Sequence, residues 1–270
     1  MMNLGEKKLW IFDVDNTLIQ DVDHPIPFTD AKALWEALEK KGVELAILTN
    51  VGRLSSRQVN QSLQAAGFIV PLKNVFTAGA AAAAYISNRS PGARCFVIGE
   101  GGAQEDFVAR GLDVANNPPI EYVAIGADRG MTFRELNFAT KMVKEGAKLL
   151  CISGSRDYLG IYLGEEEMFI GERSIVAAVE HAAGTESVVV GKPLPEIVVE
   201  TVKTLGFSVE DAVMIGDNPA SDVAGGNAAG VTTILVHRDP DNIVSFESGD
   251  LDTNPDFSVQ SLEEIIPMIN

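Results

Sequence analysis

Short runs of β-branched and aliphatic residues alternate along this chain with stretches in which apolar residues recur at helical spacing. That alternation predicts a parallel sheet covered by helices on both faces, because consecutive parallel strands need a helix-length crossover between them. The first strand is LWIFDVD, residues 9–15. Thr29 or Asp30 can cap a helix through Ala31, Leu34, Trp35 and Leu38, which Lys40, Lys41 and Gly42 bring to a stop. VELAILTN, residues 43–50, forms a second strand. Ser55 or Ser56 opens a helix that closes at Gly67, and NVFTAG, residues 74–79, is a third strand.

Residues 80–186 repeat the same rhythm by themselves, with strand candidates CFVIGE, EYVAIGA and AKLLCISG between helical patterns. This predicts a smaller α/β domain inserted into a larger one. The AAAAA run at residues 80–84 reads as a close-packed helix face. From residue 187 the outer pattern resumes with SVVVGKP, a helix through Ile197, Val198, Val202 and Leu205, and the strand DAVMIGD. A small-residue helix from Ser221 to Ala229 and the strand TTILVHR follow. The expected architecture is therefore α/β: a doubly wound parallel sheet core built from residues 1–79 and 187–270, with an α/β insertion at 80–186.

Charge and composition narrow the function. The 270 residues carry 38 acidic against 21 basic side chains, a formal net charge of −17, which opposes attraction to nucleic-acid phosphates and to anionic membrane surfaces. Neither is an expected partner. The first residues pass from Lys7 and Lys8 into a short apolar stretch that Asp13 interrupts, so a signal peptide is not expected, and no run approaches membrane-spanning length. Cys95 and Cys151 lie in apolar stretches and read as buried free thiols, which suits a reducing cytoplasm. His24, His181 and His237 stand in no metal-ligand spacing. The acidic stretch with Asp241, Glu247, Asp250, Asp252 and Asp256 reads as a solvated loop before a final helix in SLEEIIPMI.

Candidate chemistry sits at strand ends, where open α/β sheets bind their ligands. The first strand runs into Asp13 and Asp15, which strand alternation would point to one face. Two carboxylates in close approach repel by about 4 kcal/mol at an effective dielectric of about 20, which favours a bound cation or a retained proton. The second strand ends in Thr49 and Asn50, a hydroxyl and an amide able to donate to phosphate oxygens. Lys192 follows SVVVG, where an ammonium could offset developing negative charge. AVMIGD delivers Asp217, with Asp222 five residues on, a pairing of carboxylates that a hard cation such as magnesium accepts.

Taken together these residues resemble the haloacid dehalogenase-like superfamily over nearly the whole chain. DVDNTL is similar to its first motif, LTN to its second, GKP to its third and GDNPASD to its fourth. The stretch from Thr77 to about Thr185, with CFVIGEGG, resembles the α/β cap of the class IIA, nitrophenylphosphatase-like branch. The resemblance implies a Rossmann-like core and a phosphatase acting on a small phosphorylated metabolite. In it Asp13 is the nucleophile and Asp15 the general acid, later the general base. Thr49 binds the phosphoryl group, and Lys192 balances Asp13 and the phosphate. Mg2+ is held by Asp13, Asp217 and the backbone carbonyl of Asp15, with Asp222 steadying the metal shell or Lys192.

The acid at Asp15 separates the chain from the dehalogenase branch, whose leaving group needs no proton. Three positions depart from the pattern: Asn16 replaces a glycine, Val51 an asparagine, and Ser153-Gly154-Ser155-Arg156-Asp157 stands where Thr-Asn-x-Asp is common. Asp157, Arg156, Arg129 and Arg134 are candidates for touching the leaving group. A homodimer formed through the cap is common in this branch. A phosphotransferase or mutase of the same superfamily, and a non-catalytic binder of phosphorylated metabolites, are the alternative readings.

Overall fold

In the computed structural model, which describes residues 3–162, 164–238 and 251–269, the apolar strand runs expected from sequence form two parallel sheets. The chain enters the larger one through β1 (Leu9–Phe12), α1 (Thr29–Lys41), β2 (Glu44–Thr49), α2 (Ser56–Ala65) and β3 (Val75–Thr77). Side chains alternate between two separate apolar layers: Trp10, Phe12, Leu45 and Ile47 enter one, while Leu9, Ile11, Ala46 and Leu48 enter the other. A strand buried on both faces is a continuous apolar run, which is how these segments read. Ser55 caps α2 in a reciprocal capping box with Gln58. α1 instead starts at Thr29 with no side-chain cap, and Asp30 takes another task described below.

The second sheet follows through α3 (Ala78–Arg89), β4 (Arg94–Ile98), α4 (Gly102–Ala109), β5 (Asp113–Val114), β6 (Tyr122–Ile125), α5 (Phe133–Lys144) and β7 (Lys148–Cys151). The alanine run lies in α3, where Ala82 and Ala83 are buried, and small residues let α3 approach α4: a Cβ added at Gly79 would stand 3.3 Å from Ala103. An antiparallel hairpin of β8 (Asp157–Tyr162) and β9 (Glu165–Ile170) comes next; the sequence pattern did not reveal it. α6 (Glu172–Ala183) then leads to β10 (Val188–Val189).

β10 corrects the expectation that SVVV returns the chain to the first sheet. It pairs in parallel with β7, giving the second sheet the order β10-β7-β6-β4-β5. The reason is topological: α6 carries the chain back from the C-terminal edge of β7, and a strand following such a crossover settles beside its predecessor.

The first sheet resumes with α7 (Pro195–Thr204), β11 (Ala212–Gly216), α8 (Ala224–Ala229), β12 (Thr232–Val236) and β13 (Phe257–Val259). Its order is β3-β2-β1-β11-β12-β13. The winding reverses between β1 and β11, so the carboxyl ends of those two strands border a crevice. β13 lies where a loop was expected; Asp252 is exposed as anticipated, while Asp241, Glu247 and Asp250 fall outside the described residues. The last helical segment, Leu262–Met268, is a tight three-residue-per-turn helix interrupted by Pro267.

The second sheet also reverses, between β4 and β6. Its crevice faces that of the first sheet: a Cβ built on Gly126, just past β6, would meet the carbonyl oxygen of Gly52, just past β2, at 3.0 Å. Two carboxyl edges thus oppose one another, and the space between them is the main cavity.

Candidate active site

Asp13 and Asp15 follow β1, but not as members of one pleat. The strand ends at Phe12, and Asn16 adopts φ 53°, the left-handed conformation that asparagine reaches more readily than most side chains. The turn it allows sends Asp13 and Asp15 to the same cavity, of about 590 Å3, which Thr49, Asn50, Lys192 and Asp217 also line.

Lys192 is the electrostatic centre. Its side chain is 2% exposed, and its Nζ donates to Asp13 Oδ1 at 2.7 Å, Asp222 Oδ1 at 2.6 Å and the Leu48 carbonyl at 2.9 Å. Burial by itself would lower the ammonium, but Asp13 and Asp222 hold it above its ordinary range. The lysine is aimed by Asn50, whose amide group accepts from the Lys192 N–H at 2.8 Å and donates to the Lys192 carbonyl at 3.0 Å. Its oxygen and one amide hydrogen are thus committed to the Lys192 backbone, which leaves one amide hydrogen of this cavity-lining residue to donate. The close fit explains Gly191: a Cβ there would stand 2.6 Å from Asn50 Oδ1.

Asp222 does not line the cavity. Its second oxygen accepts the Asn218 N–H at 3.1 Å, so it braces Lys192 and the loop after β11 from behind. Asp13, Asp217 and Asp222 can each bring one carboxylate oxygen within 4.8 Å of the others. Burial first, then the charges of Asp222 and Asp13, pushes the Asp217 carboxyl well above the carboxylate range. One lysine cannot neutralise three clustered acids, two buried and one half-buried, and a hard divalent cation is what an all-oxygen cluster of this charge accepts. The residues present therefore fit a metal ion. The Asp15 carboxylate stands outside that cluster; burial and then the Asp13 charge raise it to about 7, and its Oδ1 is buried without a hydrogen-bond partner. Thr49, 2% exposed, accepts the Val51 N–H through its hydroxyl oxygen, which leaves the hydroxyl hydrogen to donate.

Asp157 does not line this cavity, and Arg134 and Arg156 are exposed. Arg129 joins Glu100 at 2.6 Å and Asp23 at 3.0 Å, while Arg53 pairs with the same Asp23 at 2.7 Å. This network ties the loop after β1 to the second sheet. The far wall is formed by Ala127, Ser155, Tyr158, Gly160 and Glu172, of which the sequence marked only Ser155, within the stretch that departs from the cap motif. Arg238 was legible in principle, since it follows β12 at a strand end. It pairs with Asp30 at 2.9 Å and donates to the carbonyls of Asn16 and Thr17, fixing the turn that carries Asp15. His24 also stands on the cavity wall. Cys95 and Cys151 are free and buried away from it, with burial pushing the Cys95 thiol up to about 12.

A doubly wound sheet whose switch point gathers an acid pair, a buried lysine and a second acid pair under a separate α/β lid defines a hydrolase of phosphate-handling type. The chain belongs to the haloacid dehalogenase-like hydrolases, in the class IIA branch with an α/β cap. Residues 10–113 match the haloacid dehalogenase-like hydrolase family model, and residues 189–265 match a second, HAD-hydrolase-like model. An acid sugar phosphatase of Staphylococcus aureus is 28% identical over 97% of this chain and 98% of its own. The p-nitrophenyl phosphatase from Archaeoglobus fulgidus superposes with a TM-score of 0.83 at 25% identity, covering 97% of this chain and 99% of that one. A 4-nitrophenylphosphatase from Thermotoga maritima gives 0.85 at 25% identity, covering 99% of each chain. Among the described residues no helix is long and apolar enough to cross a membrane.

Proposed function

We propose that the protein is a magnesium-dependent phosphatase that hydrolyses small phosphate monoesters through a phosphoryl group carried transiently on Asp13. The observation that carries this reading is the buried Lys192 ammonium, 2.7 Å from Asp13 and braced by Asp222 at 2.6 Å, at the switch point of the first sheet. Asp13 attacks phosphorus, and the bond to the ester oxygen breaks as the aspartyl-phosphate forms. Asp15, which lines the cavity and has one carboxylate oxygen buried with no hydrogen-bond partner among the described residues, gives its proton to the departing alkoxide. It then takes a proton from the water that attacks the aspartyl-phosphate, so that inorganic phosphate leaves and Asp13 is restored. Lys192 and the Thr49 hydroxyl offset charge on the phosphoryl oxygens.

Asp13 and Asp217, with Asp222 behind them, are the side chains that would hold magnesium, and Asp15 would add its backbone carbonyl. When bound, the ion neutralises phosphoryl charge that Lys192 alone leaves uncompensated. The second sheet and its hairpin close over the site as a cap, which excludes bulk water and favours metabolite-sized substrates over polymers. The net charge of −17 supports the same preference against nucleic acid, and two free buried thiols suit the cytoplasm. Phosphate release from a panel of small esters, with magnesium or with chelator, tests the reading. Wild type is expected to turn over in a metal-dependent way and Asp13→Asn to be silent; retained turnover in the variant overturns the mechanism.

A further inference from the structure

The cap contributes a buried acid to the cavity that the hydrolytic steps do not use. Glu172, the first residue of α6, is 3% exposed yet lines the cavity. The backbone N–H groups of Ala127, just past the carboxyl end of β6, and of Glu172 itself favour its charged form. Among the described residues no hydrogen bond from a lysine or arginine to it is seen, and the Arg53 charge acts on it only through space. Glu172 therefore occupies the switch-point crevice of the cap sheet, the place where an α/β sheet receives a ligand, and it faces the switch point of the catalytic sheet. It reaches across the gap: a Cβ added at Gly52 of the catalytic domain would stand 3.0 Å from Glu172 Oε1. The glycine is what gives the carboxylate room.

The neighbours of Glu172 define what it would meet. Ser155 and Tyr158 line the same wall, and the Tyr158 ring stacks on Phe169 at 5.4 Å, which holds the phenol in place. The cavity as a whole is lined by six carboxylates against three permanent cations, Arg53, Lys192 and Arg238. A phosphoryl group seated at Lys192 and Thr49 directs its ester oxygen toward the cap. The leaving group then meets a carboxylate with lone pairs still able to accept, two hydroxyls and little positive charge.

We propose that Glu172 is the residue that selects the leaving group, accepting a hydrogen bond from a hydroxyl or ammonium on the departing alcohol and rejecting alcohols that carry a carboxylate. The inference rests on the phosphatase reading of the site and adds the substrate class to it. A donor on the substrate satisfies an acid already buried, whereas a second carboxylate in that crevice is repelled, and the cation whose charge reaches Glu172, Arg53, is already paired with Asp23.

Three substrates of similar reach separate the possibilities: glycerol 3-phosphate, which carries hydroxyl donors; 3-phosphoglycerate, which carries a carboxylate; and p-nitrophenyl phosphate, whose leaving group has no hydrogen to donate. Steady-state rates are measured above neutrality for wild type, Glu172→Gln and Glu172→Ala, with thermal unfolding to establish that each is folded. Glutamine keeps the shape and an acceptor oxygen of the glutamate and so guards the local packing. Wild type is expected to favour glycerol 3-phosphate over 3-phosphoglycerate by about tenfold or more in kcat/KM. Either variant should shrink that ratio several-fold, Glu172→Ala the more, mainly through KM, and leave p-nitrophenyl phosphate within about twofold. An equal change on all three substrates would assign Glu172 a purely structural role and overturn the inference, as would variants whose ratio matches wild type. Wild-type silence on all three would instead overturn the phosphatase reading and the inference with it.

Discussion

Replacing Lys192 by methionine removes one charge while keeping an unbranched apolar stem in a side-chain position that is 2% exposed. The ammonium now makes two charged contacts, at 2.7 Å to Asp13 and 2.6 Å to Asp222. At an effective dielectric of about 20, each such contact is worth about 6 kcal/mol of Coulomb attraction, most of which offsets the cost of taking the charges out of water. The burial cost stays when the partner is removed. Asp13, Asp217 and Asp222, already within reach of one cation, would face one another with none. Truncating one member of such a buried network costs about 3–5 kcal/mol, so Lys192→Met should lose about that much in urea unfolding without metal. Adding Asp222→Asn removes one of the orphaned acids and should return about 1–2 kcal/mol, a coupling that a double-mutant cycle reads directly. Phosphate release should fall by about a hundredfold to a thousandfold, the usual effect of removing one stabilising group from a phosphoryl or oxyanion site. A Lys192→Met protein as stable as wild type, or one that turns over at the wild-type rate, would refute the reasoning.

Magnesium should stabilise the folded protein: at a hundred times its dissociation constant the gain is about 2.7 kcal/mol, seen as a higher Tm than in chelator, and Asp217→Asn should abolish most of it. An unchanged Tm in wild type would remove the cation site. Burial raises the Glu172 carboxyl to about 7 from an ordinary value of 4.5. The folded state then binds more protons than the unfolded chain, so this contribution is whole below the ordinary value and is lost as pH rises through about 7. Glu172→Gln, which lacks the titration, should therefore gain on wild type by about 3 kcal/mol between mildly acidic and mildly alkaline pH. Urea unfolding of both proteins across that window checks it, and a pH-independent difference contradicts it.

The strands were legible because burial on both faces of a parallel sheet demands continuous apolar runs rich in β-branched residues, and most helices because their apolar residues recur at helical spacing. Asp13, Asp15, Thr49, Lys192 and Asp217 were legible because each follows such a run, and a strand end is a fixed place in the fold. Asn16 was also readable, since its φ of 53° suits an asparagine where a glycine would otherwise stand. The hairpin of residues 157–170 was not readable: three successive glutamates, Glu165 to Glu167, hide its alternation. β10 read as a strand but not as a strand of the second sheet, because two valines carry no mark of their neighbour.

What the sequence by itself determined is therefore the local geometry and the order of the chemical groups, since apolar periodicity and chain direction are properties of neighbours in the chain. Only the tertiary structure decided that Asn50 holds the Lys192 backbone, that Asp222 stands behind the lysine, and that Asp157 stays off the cavity wall. It also brought Glu172 to Gly52 across 120 residues of chain. These are encounters between carboxyl edges of two separate sheets, set by the reversal of winding in each, and no window of sequence contains them.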